Sequence, residues 1–297
     1  MRLRSVELQL PQAESAKQFL TEVWGLSEAG RNASAAFLRG TGDHPYVIAL
    51  SEAGAPSIGS ISFAASPEEL ERLLARLKAA GVRHEPMAQF DEPGAPRGFM
   101  LAGNEGQLFR FVSDGQRTAA LASDRDRPIQ LTHAVLNARD RAACTRFAVD
   151  VLGFKLSDRT RGMSFVRCDE THHAIAFADA DLTSLNHLAF EMVNLDAVMR
   201  GIGRMKDHGC PVVWGPGRHG PGNNVFGYFV APFGAVIEYT SEIVRVDDSY
   251  RTGGPDDWRW PPNRGDQWGI TVKDTARMEP AERRFRFREL SGARAVA

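Results

Sequence analysis

Cysteine is scarce in this 297-residue chain: Cys144, Cys168 and Cys210 are odd in number, far apart and in no CxxC pair. That spacing excludes a disulfide framework and a thiolate zinc site, and the three read as free, buried thiols. No run of about 18 apolar residues occurs, and the opening MRLRSVELQLPQAES has neither the apolar core nor the cleavage site of a secretion signal. No membrane partner is expected, and a cytoplasmic location is the default. Charge of one sign is lacking too. Lys and Arg number 36 against 37 Asp and Glu, a formal net charge of -1, without the polybasic field that attracts nucleic acid or anionic lipid. Partners are expected to be small molecules or copies of the chain itself.

What the chain has is length and repetition. Its 297 residues exceed a typical domain of about 100–200, and 43% hydrophobic with 25% charged content describes a globular protein able to bury a core in each half. Residues 3–26 (LRSVELQLPQAESAKQFLTEVWGL) resemble residues 131–154 (LTHAVLNARDRAACTRFAVDVLGF) at an offset of 128, which pairs Phe19 with Phe147, Val23 with Val151 and Gly25 with Gly153. The same offset relates Gly81 to Gly209 after a strand and helix, Ser66 to Asn194 as helix N-caps, and Gly106 to Gly234 before the last strand of each half. Two homologous domains are expected, at 1–114 and 129–242. The polar, small-residue stretch 115–128 reads as their linker. Residues 243–297, with GGPDDWRWPPNRGDQWG and then a charged stretch, read as an extension that wraps a domain or meets a neighbouring subunit.

Hydrophobic periodicity gives one order of elements in each half: strand, helix, two or more strands, and the same again. In the second half strands are predicted near 130–136, 163–168, 173–178, 185–192, 226–231 and 234–241, with helices near 138–150 and 195–208. The fold class is α+β. Paired βαβββ modules would form a curled antiparallel or mixed sheet around a cavity, with helices outside.

Three strands of the second half each carry a residue suited to a divalent metal. His133 lies on the first strand of the third module, His187 on the first strand of the fourth and Glu238 on the last strand of the fourth. Two imidazoles and one carboxylate fill one face of an octahedron and leave the opposite face open, the arrangement of non-haem Fe(II) oxygenases. Such a site stays positive and favours an anionic oxygen ligand such as a catecholate. The repeat offers an internal comparison, because the offset maps the three onto Ser5, Gly59 and Arg110, none a credible ligand. Packing needs common to both halves would not remove all three together. Taken as residues alone, the alternative is that His133 and His187 are hydrogen-bonded core histidines and Glu238 an exposed strand residue. Glu242, four residues on, is a rival ligand. His44, His84 and His208 carry little, His208 standing at a predicted helix C-terminus where a cation is favourable.

The segments LTHAVLN, HHAIAF, LNHLAFEM and RHGPGNNVFGYFVAPFGAVIEYTSE resemble the type I extradiol ring-cleaving dioxygenases of the vicinal oxygen chelate superfamily. The likeness is close over 129–242 and extends to the first half only through module architecture. It implies His133, His187 and Glu238 as ligands of Fe(II), with Mn(II) as the alternative ion. It further implies His173 as the acid-base histidine, with His172 as the competing register, His219 as a hydrogen-bond partner of a substrate hydroxyl, and Tyr228 as the residue holding the catecholate oxygen near the metal. Ala231-Pro232-Phe233-Gly234 departs from the family pattern, which often has an aspartate and a small or polar residue before the glycine, so metal support and substrate preference are expected to differ. The function implied is extradiol cleavage of a small aromatic diol with O2, in aromatic hydrocarbon catabolism, by a homo-oligomer. Pocket walls are expected from Phe165, Phe190 and Val225 and from the Trp-containing extension. Two other readings stay open. One is a glyoxalase-type isomerase or thiol transferase using a divalent cation without O2; the other is a non-catalytic small-molecule binding protein of the same fold.

Overall fold

The computed structural model describes residues 1–116, 118–262 and 264–288. Four βαβββ modules follow one another. The first is β1 (Arg2–Leu10), α1 (Ala13–Glu22), β2 (Ser27–Arg31), β3 (Ala35–Arg39) and β4 (Ile48–Glu52). The second is β5 (Ser57–Ala64), α2 (Pro67–Ala79), β6 (Ala88–Gln89), β7 (Arg97–Ala102) and β8 (Leu108–Ser113). The third is β9 (Leu131–Ala138), α3 (Arg141–Arg146), β10 (Lys155–Arg159), β11 (Met163–Arg167) and β12 (Ile175–Asp179). The fourth is β13 (Ser184–Glu191), α4 (Leu195–Asp207), β14 (Trp214–Arg218), β15 (Val225–Val230) and β16 (Val236–Ser241), after which come α5 (Thr275–Glu282) and β17 (Arg286–Phe287).

The modules pair into two sheets of one topology, β2-β3-β4-β1-β5-β8-β7-β6 and β10-β11-β12-β9-β13-β16-β15-β14, which is the α+β arrangement the repeat implied. In each sheet two central strands run antiparallel, β1 with β5 and β9 with β13, and each of them pairs in parallel with the last strand of its own module. β9 is buried along its whole length. Both of its faces are therefore covered: Ala134 and Leu136 join the main apolar core, while Val135, of opposite parity, packs with Phe165 and Ala176 on the concave side.

Both predicted N-caps hold. Ser66 Oγ accepts from Glu69 N at 3.2 Å, and Asn194 Oδ1 accepts from Ala197 N at 3.0 Å. Two strands of the second half escaped the periodicity. β10 (KLSDR) and β14 (WGPGR) are the sheet's edge strands, polar or rich in Gly and Pro, with no clean apolar alternation to read. The helix expected at 138–150 begins later, because β9 runs through Ala138 and Asp140 caps α3 by accepting from Ala143 N at 2.8 Å. Its continuation, Phe147–Val151, is π-helical, with Leu152 N donating to Phe147 O at 3.1 Å; Trp24 N donates to Phe19 O at the equivalent place in the first half, at 3.0 Å.

One cluster of buried side chains runs through both halves, and the exchange between them is reciprocal. Trp24, just after α1, stacks on Tyr239 of the second sheet with centroids 3.6 Å apart and planes 6° apart, and meets Phe190 and Phe229 edge-on at 5.4 and 5.9 Å. Phe154, just after α3, packs edge-on against Phe63 of the first sheet at 5.0 Å. Arg204 of α4 donates to Val23 O at 2.8 Å; its repeat partner Arg76 of α2 donates to Val151 O at 3.2 Å. Phe190 and Val225 both belong to this shared core, which corrects their assignment as pocket walls. Strand alternation turns them away from the cavity that their neighbours Ala189 and Phe226 face.

Residues 118–128 carry no strand or helix and run along Gly40–Gly42, where Leu121 N donates to Thr41 O at 2.7 Å. A Cβ on Gly40 would sit 2.2 Å from Ile129 O, so this close approach requires glycine. The extension wraps the second half. Asp274 N donates to Val213 O at 2.8 Å, and Met278 of α5 packs with Val213, Phe226 and Tyr228. β17 then joins β5 in parallel and adds a ninth strand to the first sheet. Residues 289–297 lie outside the described ones. Among the described residues no helix is long and apolar enough to cross a membrane.

His44 gives the fold a pH dependence. It is buried with neither ring nitrogen bonded among the described residues, and burial, reinforced by Arg2, pushes its pKa down to about 3. In the unfolded chain the imidazole titrates near 6.5. Above that pH neither state holds the proton. Below it only the unfolded state takes it up, so stability falls as pH drops from about 6.5 towards about 3, by about 1.4 kcal/mol per pH unit for one proton. Thermal unfolding between pH 7 and pH 4 should therefore show a shallower decline for His44→Leu than for the unsubstituted chain; parallel declines would assign the proton uptake elsewhere.

Candidate metal centre

The cross-strand register of the second sheet assembles the site. Ala189 of β13 pairs with His133 of β9 on one side and Glu238 of β16 on the other, and Glu238 pairs with Tyr228 of β15. Opposed residues share a face, so His133, Glu238 and Tyr228 point into one cavity over the small Ala189. His187, two residues before Ala189, returns to that face. His133 Nε2 and His187 Nε2 each lie 3.3 Å from Glu238 Oε2. Among the described residues these three form the one group of at least three metal-binding side chains whose donor atoms lie within 4.8 Å of one another.

The donor set fits a divalent cation. Glu238 is fully buried, and its Oε2 has no hydrogen-bond partner among the described residues. Burial alone would raise its carboxyl pKa, but the His133 and His187 imidazoles hold it far below the usual range, while burial lowers that of His187. An anionic oxygen and imidazole lone pairs converging on one point are the form such ligands must take.

The tautomer of His187 is fixed from behind. Its Nδ1–H donates to Asn186 Oδ1 at 2.8 Å, and Asn186 Nδ2 donates to Asn137 Oδ1 at 2.9 Å. Asn137 Nδ2 in turn donates to Ser184 Oγ at 2.9 Å and to Glu282 O, at the end of α5, at 2.8 Å. Nε2 is thereby left as a lone pair towards the cavity. A β-bulge between Leu185 and His187 brings the adjacent Asn186 within reach. Asn186→Ala should weaken metal binding by about 10–100-fold. Anaerobic titration of the metal-free chain with Mn(II) checks this, and an unchanged affinity would mean that Asn186 does not govern the ligand.

Around the triad stand the residues singled out by sequence. His173 lies beside His133 with ring centroids 4.2 Å apart, and edge-on to Phe165 at 5.0 Å. His172 turns the other way, with Nε2 at 2.6 Å from Asp158 Oδ2. His173 is thus the histidine of the pair next to the donor cluster, and burial followed by the surrounding imidazoles lowers its pKa well below the usual value. His219 Nε2 lies 2.9 Å from Tyr228 OH, and the same hydroxyl is 3.5 Å from His187 Nε2. Burial lowers the pKa of His219 to about 4 and raises that of Tyr228 well above its usual range. Trp214 stacks on Tyr228 at 5.0 Å and Phe226 on His219 at 4.0 Å. The His219 side chain, 20% exposed, marks the mouth, where Trp258, Trp260 and Gln267 of the extension close on Gly220.

Glu242 is no rival. β16 ends at Ser241, Glu242 takes φ 60, and its exposed carboxylate pairs with Arg218. The residues that sequence reasoning passed over are Asn137, Asn186, Asp158 and Asn224, whose Nδ2 donates to Glu238 Oε1 at 3.3 Å. Asn186 alone had a positional signal, directly before His187.

In the first sheet the corresponding face is filled with paired charge. Ser5, Ser62 and Arg110 form the equivalent row. Arg110 donates to Ser62 Oγ at 2.8 Å, Tyr46 OH at 2.6 Å and Glu92 at 2.8 Å, and Arg4 donates to Asp114 at 2.7 Å. Counted along this row, the counterpart of His187 is Ser60 rather than Gly59, because the bulges fall at different points in the two halves. Among the described residues neither belongs to a metal-binding group, and of the carboxylates on this face Glu92 and Asp114 are matched to guanidinium groups while Glu7, opposite Ser60, accepts from Gln9 Nε2 at 3.0 Å.

Comparison with known proteins agrees with this geometry. The family model of the Glyoxalase/Bleomycin resistance protein/Dioxygenase superfamily matches residues 130–239, which hold His133, His187 and Glu238. The solved structure of the Mn(II)-bound glyoxalase from Novosphingobium aromaticivorans is similar with a TM-score of 0.85 and 35% identity, over 93% of this chain and 93% of that one. Metapyrocatechase 2 of Cupriavidus necator is 31% identical over 134 residues, 43% of this chain and 42% of that protein, so the match spans less than half of that relative. Metapyrocatechase of Geobacillus stearothermophilus is 25% identical over 299 residues, 90% of this chain and 88% of that protein.

Proposed function

This chain belongs to the Glyoxalase/Bleomycin resistance protein/Dioxygenase superfamily, and from that premise we propose that it cleaves a catecholic ring beside its hydroxyls with O2, at a mononuclear Fe(II) held by His133, His187 and Glu238. The observation that carries this reading is the placement of His173, His219 and Tyr228 around the triad. When bound, the iron supplies a Lewis acid and a common template for the diol and O2. The chain's own residues supply the rest. His173 takes a hydroxyl proton from the substrate. Tyr228, kept neutral by its raised pKa and held by His219, donates a hydrogen bond to a substrate oxygen. Val135, Phe165 and Ala176 on one flank, and Trp214 and Phe226 on the other, hold the ring and exclude water.

Residues 1–114 act in this reading as a scaffold and 129–242 as the metal-bearing domain, in a cytoplasmic homo-oligomer. Loading the chain anaerobically with Fe(II), adding a panel of catechols and then admitting O2 should give O2 uptake and a yellow ring-opened product. A broad panel with neither would overturn the proposal.

A second reading has its own support, since the Novosphingobium relative is a glyoxalase with Mn(II). Turnover of the thiol adduct of a ketoaldehyde under nitrogen, with Mn(II), Ni(II) or Mg(II), would favour an isomerase or thiol transferase instead.

A further inference from the structure

A chain of buried hydrogen bonds begins in the C-terminal extension and ends at the metal-binding cavity. Asp158 of β10 is fully buried. Its Oδ1 accepts from Gly253 N at 2.7 Å, and its Oδ2 accepts from Tyr250 OH at 3.0 Å and from His172 Nε2 at 2.6 Å. On the far side of His172, its Nδ1 lies 3.0 Å from His173 Nδ1. The extension also clasps the pair through the backbone, with His172 N donating to Val244 O at 3.1 Å and Val244 N donating to Gly222 O at 2.9 Å. The fit is close, since a Cβ on Gly222 would stand 3.2 Å from His173 Cε1 and 3.4 Å from His172 Nδ1.

Each link fixes the next. A carboxylate only accepts, so the hydrogen between Asp158 and His172 sits on His172 Nε2. A neutral His172 then presents a lone pair at Nδ1. His173 must donate to it from its own Nδ1, which leaves His173 Nε2 as the lone pair of that ring. The His172 ring is held in this orientation edge-on to Tyr250 at 5.7 Å and tilted against Phe165 at 5.9 Å.

We propose that Asp158, anchored by Tyr250 and Gly253, is a positioning residue that acts through His172 to set the tautomer of His173, so that His173 meets the substrate hydroxyl with a free Nε2 lone pair. What His173 does with that lone pair rests on the ring-cleavage reading; how it is held does not. In the proton transfer the substrate O–H bond breaks, the proton moves to His173 Nε2, and the imidazolium formed keeps its Nδ1–H bond to His172. The positive charge is thereby shared along a hydrogen-bonded line that ends in a carboxylate. The extension, which the sequence left without chemistry, supplies two of the three donors that hold this carboxylate.

Asp158→Asn tests the idea, because an amide keeps the shape and donates where the carboxylate accepts. With a donor at that end, His172 carries its hydrogen on Nδ1, and His173 is forced to carry its own on Nε2. The readout is the nitrogen NMR spectrum of the full metal-free chain labelled at histidine. The unsubstituted chain should show a bare Nε2 and a protonated Nδ1 at His173, and Asp158→Asn should exchange the two. With Fe(II) loaded, Asp158→Asn should lower kcat by about 10²-fold while leaving metal content at one per chain and KM within about 3-fold. A protonated Nε2 on His173 in the unsubstituted chain overturns the proposal even if the variant fails to fold, and so does an Asp158→Asn chain whose His173 keeps its tautomer. If no catechol is cleaved by either protein, the ring-cleavage reading fails and the spectra still decide this one.

Discussion

Replacing Glu238 with alanine is expected to abolish stoichiometric metal binding and to lower ring-cleavage kcat/KM by at least about 10³-fold. The substitution removes the one anionic donor of the cluster and leaves two imidazoles with no charge to balance a divalent cation. The unfolding temperature of Glu238→Ala should also lose its response to added Fe(II) or Mn(II), which stabilises the unsubstituted chain by binding only its folded state. Glu242→Ala, which alters only an exposed pair with Arg218, should keep both metal and activity. Metal retained at one per chain in Glu238→Ala would remove Glu238 from the ligand set.

Trp24→Ala is expected to destabilise the chain by about 3–5 kcal/mol, the range for deleting a large buried aromatic. Trp24 belongs to the first half by sequence but is fully buried against the second sheet, stacked on Tyr239, whose hydroxyl donates to Trp24 O at 2.7 Å. Tyr239 directly follows Glu238 on β16. The cavity left by the indole lies immediately behind the strand that carries the carboxylate, so metal affinity should fall too, although Trp24 is not among the donors. Denaturant unfolding followed by tryptophan fluorescence and by metal release should give one coincident transition shifted to lower denaturant. Separate transitions, with metal release unmoved, would mean that the halves are energetically independent.

Much of this organisation was legible in the sequence because the chain carries two copies of it. The offset of 128 predicted the paired modules, and the same offset reappears in contacts no periodicity could reveal, such as Arg76 with Val151 and Arg204 with Val23. His133, His187 and Glu238 stood out because their types are chemically distinctive and their counterparts in the first half are not. Gly59 was the wrong counterpart of His187 because β-bulges shift register by one residue and leave no mark in the sequence. Which of His172 and His173 stands beside the donor cluster was hidden because Asp158, the partner of His172, sits on an edge strand whose KLSDR pattern gives no apolar signal. Phe190 and Val225 illustrate the same limit. Their apolar character announced burial, but which face they bury on is set by pairing with neighbouring strands.

The central claim is a single divalent metal in the second half, and anomalous diffraction from crystals grown with Fe(II) or Mn(II) tests it most directly. The expected map shows one peak per chain, within bonding distance of His133 Nε2, His187 Nε2 and Glu238 Oε2, and none among Arg4, Arg110 and Glu92 of the first sheet. A peak in the first half, or full occupancy at other side chains with the triad empty, would contradict it.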